Sequence, residues 1–387
     1  MSVGAALKLL NILHVNMSLD PVTGGGTVER IRQLHEAMQE MTGISSRVLS
    51  VAVADSSALP ESEDVVLLPC WNRRWYLPAP KLVTMYRMVR QADVIHLMNH
   101  WTILNAIIYW MARLAGKPYV ICPAGALPLF GRSQGFKSWY NRLVGSALVK
   151  AADAAIVVAE DEINVLKQYG VEEGRIQHIA NGVRIEEFSC NDDQLFRKHA
   201  GIGHADYILF VGRMNEIKGP DLLLDAFVDI SACFPDLHLV FAGPDGGLLE
   251  SLKSKAVKKT LHERVHFAGY VGGELKSSAY HGAALLVVPS RQEAMSIVAL
   301  EGAVCGTPVV LTDRCGFDVL AEEGAARLAE ASACSLAKVM RELMADADLR
   351  KVMGSKGRQL AVSSYTWDIA ARSHVNLFRQ CVDHSES

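Results

Sequence analysis

Residues Ser290–Val310 read SRQEAMSIVALEGAVCGTPVV. The run Leu285–Val288 before them and Pro308–Leu311 at their end are short, continuous and apolar, the pattern of strands buried on both faces. Between them Ile297–Cys305 is helical in length and period, with Gly306 as its stop signal. Strand, helix and strand in so few residues predict a βαβ unit of a parallel sheet. One residue resists the pattern. The helical neighbours of Glu301 at three and four positions are Ile297, Val298, Val304 and Cys305, all apolar. An uncompensated carboxylate in an apolar shell costs several kcal/mol. Glu301 must therefore meet an arginine, solvent or a ligand's hydroxyl groups.

The same alternation extends in both directions. Leu9–Val15, Val94–Leu97, Tyr119–Cys122 and Ala155–Val158 read as strands, with helices at about Thr27–Met41, Ile103–Leu114 and Phe136–Lys150. A second series follows with strands Tyr207–Val211, Leu237–Ala242 and Val265–Phe267 and helices Asp221–Phe234, Leu248–Lys258 and Glu274–His281. The expectation is an α/β protein of two doubly wound, Rossmann-like parallel-sheet domains, 1–183 and 190–364. Asn181-Gly182 supplies the turn between them, and an amphipathic helix follows at about 366–382. Such domains in tandem are expected to face each other across a cleft that takes ligands beyond the carboxyl ends of the strands.

The chain has 387 residues, half of them hydrophobic, and a net charge of -3, which gives no reason to expect nucleic acid. Its eight cysteines lie apart, without metal-ligand spacing, and read as small buried side chains in a reducing compartment. Asn11, His14 and Asn16 interrupt the apolar stretch Leu7–Met17, and no long apolar run predicts a membrane span. The expected location is cytoplasmic, at most on the inner face of the plasma membrane. Val65–Lys150 holds eleven Lys or Arg and one acid, Asp93, so the first domain should carry a local positive field.

Three clusters carry chemistry. The amides of Met295, Ser296 and Ile297, at a helix start, can bind an anion, with Glu293 placed just before them to accept from neutral hydroxyls. FVGRMNEIKG (Phe210–Gly219) sends Arg213 and Lys218 from the end of a strand, where a fork of donors and a point charge suit a diphosphate; a surface loop is the plain alternative. Gly24, Gly25 and Gly26 let backbone approach a ligand or make a tight turn. They are not a GxGxxG fingerprint, which argues against a nicotinamide site. The one D-x-D, Asp346-Ala347-Asp348, reads as a solvated helix face, so no metal site is expected.

VHFAGYV (Val265–Val271), VVPS (Val287–Ser290), the Glu293/Glu301 pair and CGTPVV (Cys305–Val310) resemble, in order, the signature of the retaining GT-B glycosyltransferases of family four. FVGRMNEIKG resembles that family's G-R-x4-K-G element, HIANGV (His178–Val183) its interdomain turn and TGGGTVER its glycine loop. The resemblance implies that Arg213 and Lys218 neutralise the diphosphate of a UDP- or GDP-sugar. Glu293 would hold the donor sugar, Glu301 the ribose, and backbone at Tyr270 and Val271 the base. The glycine loop would close over the diphosphate, and Trp367 with the final helix would return to the first domain. Transfer with retention and without a metal is implied. One departure stands out: Pro123-Ala124-Gly125 replaces the family's Pro-His-Gly, and His100 is the candidate substitute.

Basic and aromatic residues of the first domain suggest the acceptor. Lys137, Arg142 and Lys150 lie among Trp139, Tyr140 and Leu143, and Arg73 and Arg74 beside Trp75 and Tyr76. Both groups suit anionic headgroups, hence a lipid-linked glycan acceptor in surface polysaccharide synthesis. A non-catalytic sugar-nucleotide-binding protein and a GT-B sugar-nucleotide epimerase are the alternatives.

Overall fold

The structure is a computed structural model that describes residues 8–20, 26–53, 57–73, 75–128 and 134–386. The chain divides into two compact units, 1–181 with 367–387 and 182–366.

Among its described residues the first unit has an eight-stranded sheet: β1 (Leu10–Val15), β2 (Ile44–Ala52), β3 (Val65–Asn72), β4 (Leu77–Pro78), β5 (Val94–Met98), β6 (Tyr119–Cys122), β7 (Ala154–Val157) and β8 (Ile176–His178). Its order is β4-β3-β2-β1-β5-β6-β7-β8, parallel except at β4. Strands β1, β5, β6 and β7 fall where continuous apolar runs predict them. Strand β2 does not announce itself, because ISSRVLSVA mixes serine and arginine into its run. One of its buried polar groups finds a partner on the preceding helix: Ser46 Oγ lies 2.8 Å from His35 Nδ1.

The second unit builds a six-stranded parallel sheet from β9 (Tyr207–Val211), β10 (His238–Ala242), β11 (Val265–Gly269), β12 (Leu285–Val288), β13 (Val309–Thr312) and β14 (Ala326–Ala329), in the order β11-β10-β9-β12-β13-β14. The order reverses between β9 and β12, so the loops leaving these two neighbouring strands flank a topological switch point. Helices Pro220–Ile230 and Ala333–Ala345 pack together over buried Leu223, Phe227, Leu336 and Met340. Asp346 caps the helix Ala347–Ser364 by accepting from Leu349 N at 2.8 Å, which gives the D-x-D a structural role.

The last helix, Trp367–Glu386, belongs to the first unit and packs on the helix Gly26–Gln39 and on β5. Trp367 and Phe378 are buried there. So are three histidines. His14 and His96 face each other across β1 and β5 with their Nδ1 atoms 3.0 Å apart, so one donates and the other accepts. His374 donates Nδ1–H to Ala370 O at 2.7 Å, and its ring lies 5.6 Å from that of His96. Burial pushes all three below the ordinary histidine range, His374 to about 3, and the positive charge of buried Arg30 pushes His96 and His374 the same way.

The folded unit therefore refuses protons that the unfolded chain takes up near pH 6.5. Stability should be full above that pH and decline as pH falls toward the folded values, by up to about 1.4 kcal/mol per pH unit for each ring. Urea unfolding at a series of pH values checks this, and His374→Leu should flatten the slope. A pH-independent midpoint between pH 7 and 5 contradicts it.

Candidate active site

The loops leaving β9 and β12 are locked together. Gly219 sits at φ +66°, and a Cβ there would stand 2.0 Å from the carbonyl oxygen of Pro289. Only glycine permits that approach. Arg291 N donates to Ile217 O at 2.7 Å. The Arg291 guanidinium donates to both carboxylate oxygens of Asp221, at 2.9 and 2.6 Å, and to Glu216 O at 2.6 Å. Lys218 N is held by Asn215 Oδ1 at 3.0 Å. The consequence is one ion pair: Lys218 Nζ lies 2.8 Å from Glu293 Oε1, with the lysine side chain 33% exposed and the glutamate 10%. Ser290 Oγ donates to the same oxygen, and Glu293 N donates to Arg314 O at 2.8 Å. Burial and then the Glu293 charge push the neighbouring Cys315 thiol up to about 12, so it is inert at neutral pH.

Arg213 lies on the next turn. Met214 N donates to Pro244 O at 3.0 Å and Gly246 N returns to Met214 O at 3.1 Å. Gly243, at φ +144°, lets the two turns meet, since a Cβ there would stand 2.0 Å from Gly212 O. Among the expected cations and acids, then, the structure joins Lys218 to Glu293 and sets Arg213 on an adjoining, separately bonded turn. Tyr270, just beyond β11, is exposed, and Val271 after it is buried.

Glu301 is buried in the helix Ile297–Val304. Its donors come from the helix Gly273–Gly282: Lys276 Nζ reaches Oε1 at 2.8 Å and Tyr280 Oη donates to Oε2 at 2.6 Å. Burial first, then the Glu301 charge, pushes the Tyr280 hydroxyl well above its ordinary range, so it stays a donor. Lys276 also lies over the ring of Phe188, 5.3 Å from its centre. Sequence reading along the Glu301 helix missed these partners. Their i, i+4 spacing on the preceding helix was the available signal. At the start of the Glu301 helix, Ser296 Oγ accepts from Ala299 N at 3.3 Å; Met295 and Ser296 are buried and Ile297 is half-buried.

In the first unit, Gly24 and Gly25 lie outside the described residues, and Gly26 opens the helix Gly26–Gln39. His100, the expected substitute at the donor sugar, is held by packing in this structure. The residue is buried, and Nε2 lies 2.9 Å from Asn141 Oδ1. The rings of Trp101, Tyr140 and Tyr169 surround it. Burial lowers its pKa to about 4, so the ring is neutral at neutral pH. Ala124 itself occupies the left-handed region at φ +48°. Glu162, which sequence reading missed, accepts from the amides of Gly125 and Val158 and so pins that turn from 37 residues away.

The profile described as Glycosyl transferases group 1 matches residues 191–360, and that described as Glycosyltransferase Family 4 matches 24–187. The chain belongs to the family-four glycosyltransferases of the GT-B fold. A D-inositol 3-phosphate glycosyltransferase of Corynebacterium urealyticum is 31% identical over 252 residues, which span 62% of this chain and 59% of that protein. Two solved structures share the fold. HepE of Anabaena, in complex with UDP and glucose, has a TM-score of 0.77 at 19% identity, covering 96% of this chain and all of that one. WaaG, involved in lipopolysaccharide biosynthesis, has a TM-score of 0.71 at 18% identity, covering 95% and 99%.

Within this family member, Lys276→Met should strand a buried carboxylate and lower stability by about 3 kcal/mol. Adding Glu301→Gln should recover most of that loss. Urea unfolding of the two single variants and the double variant checks the coupling; additive effects contradict it.

Proposed function

We propose that this chain transfers a sugar from a nucleotide-diphosphate sugar to a glycan acceptor, with retention of anomeric configuration and without a divalent metal. The Lys218–Glu293 pair at the switch point of the second sheet carries the reading. It sets a reachable cation and a fixed carboxylate side by side where open parallel sheets take ligands. The diphosphate draws Lys218, with Arg213 and the amides of Met295–Ile297 adding positive potential. Glu293 then accepts from hydroxyls of the donor sugar. Glu301 takes ribose hydroxyls on lone pairs that Lys276 and Tyr280 leave, a carboxylate having about four. Tyr270 and Val271 border the base.

Glycosyl transfer builds positive charge on the sugar ring while negative charge grows on the departing phosphate. Lys218 and Arg213 stabilise the second charge, and Glu293 orients the sugar bearing the first. UDP is the first nucleotide to test, because HepE was solved with it; GDP is the alternative. The basic stretch Val65–Lys150 of the first unit and the likeness to WaaG support a lipid-linked acceptor of surface polysaccharide synthesis. The Corynebacterium relative makes inositol phosphate the competing acceptor.

Glu293→Ala should lower turnover of the matching donor by about 100-fold or more while UDP still raises the melting temperature. Full activity removes Glu293 from the mechanism. Anomeric NMR of the product reads retention, and activity should survive chelation. A melting shift without hydrolysis or transfer identifies a binding protein, and isomerisation of the donor without acceptor identifies an epimerase.

A further inference from the structure

The helices Leu82–Gln91 and Ile103–Ala115 of the first unit pack side by side and leave an open groove of about 750 Å³ on their outer face. Leu82, Val83, Tyr86 and Leu114 line it, together with Arg87 and Arg90. The apolar members do not retreat from solvent. Val83 is 83% exposed, Leu114 78% and Leu82 51%, and Trp110, one turn before Leu114, is 60% exposed. Four large apolar side chains gathered on one face of two neighbouring helices are more than the scattered exposure normal for a protein surface.

The charge around them has one sign. Lys81–Lys117 contains Lys81, Arg87, Arg90, Arg113 and Lys117 against the single acid Asp93. That acid is turned to other use: its carboxylate accepts from Asn11 N at 2.8 Å and from Asn11 Nδ2 at 2.9 Å. A second copy of this chain docked through the same groove would bring cation against cation. An anionic surface with an apolar interior satisfies both features at once. The arginines meet headgroups while the aliphatic chains and the Trp110 ring enter the acyl boundary. No helix of the described residues is long and apolar enough to cross a membrane, so the contact would be peripheral.

We propose that this two-helix face docks the protein on an anionic lipid bilayer. It differs from the surface expected on Phe136–Lys150, where Tyr140 and Leu148 are buried and only part of the apolar set, with Trp139 and Leu143, faces out. The placement rests on the lipid-linked acceptor of the proposed reaction for its purpose, while its test uses neither donor nor acceptor.

Flotation with vesicles of phosphatidylglycerol and phosphatidylcholine should carry the protein upward at low ionic strength. Added salt should weaken this binding, and phosphatidylcholine alone should not support it. The double variant Val83→Asp/Leu114→Asp should reduce the bound fraction about tenfold or more. Arg87→Gln and Arg90→Gln should each reduce it about fivefold. Val83→Ala/Leu114→Ala gives a milder second variant, and an unchanged melting temperature shows that either pair still folds. Three results overturn the proposal: no flotation at low salt, flotation indifferent to these substitutions in folded protein, or a dimer in sedimentation that the aspartates dissolve while vesicles bind nothing. Hydrolysis of donor in solution should be the same in the Val83 and Leu114 variants as in the native chain, so loss of docking and loss of the sugar-transfer reading are read separately.

Discussion

Much of the second unit turns on how closely two loops can approach. A side chain at position 219 would collide with the Pro289 carbonyl, and without that contact Lys218 and Glu293 would belong to separate loops of separate strands. With it, a backbone hydrogen bond from Arg291 and a two-pronged bridge to Asp221 fix the register of one loop against the other. The ion pair is the product of this packing. A pair whose lysine is a third exposed contributes only about 1 kcal/mol or less by itself and could not have organised the loops.

The two glutamates that look alike in sequence are physically unlike. Glu293 meets a partly exposed lysine, with both side-chain contacts on one carboxylate oxygen. Glu301 is tied at each oxygen to a different side chain, one of them fully buried, and its loss or that of Lys276 would leave an unpaired polar group in the core. Equal spacing from an apolar run says nothing of this difference, because burial is decided by the helix that packs across it.

That contrast sets the limit of legibility. Continuous apolar runs separated by helical periods disclosed β1, β5, β6, β7 and the strands β9 to β13, since strands buried on both faces need no polar alternation. Strand β2 stayed hidden because serine and arginine interrupt its apolar run, and the group that meets Ser46, His35, lies outside its own window. The motif order pointed to Lys218 and Glu293, whose loops are short and whose glycine is explicit. Lys276, Tyr280 and Glu162 were not singled out, because each acts on a residue 21 to 37 positions away through tertiary packing. His100 was a candidate by position near a strand end, and the rings of Tyr140 and Tyr169 around it, from distant segments, could not be read from its neighbours.

In the proposed reaction this division of labour matters more than the count of charges. An incoming diphosphate competes for Lys218 with a single carboxylate in a solvent-screened pair, so the exchange is inexpensive and frees Glu293 for a neutral hydroxyl. The same exchange at Glu301 would have to break a buried bond to Lys276, whose replacement by a neutral donor is unfavourable. Glu301 therefore adds hydroxyl contacts to a network that stays intact, while Glu293 changes partners. One acid preserves the shape of the site and the other responds to its occupant, and the separate environments of Lys276 and Lys218 are what keep those roles apart.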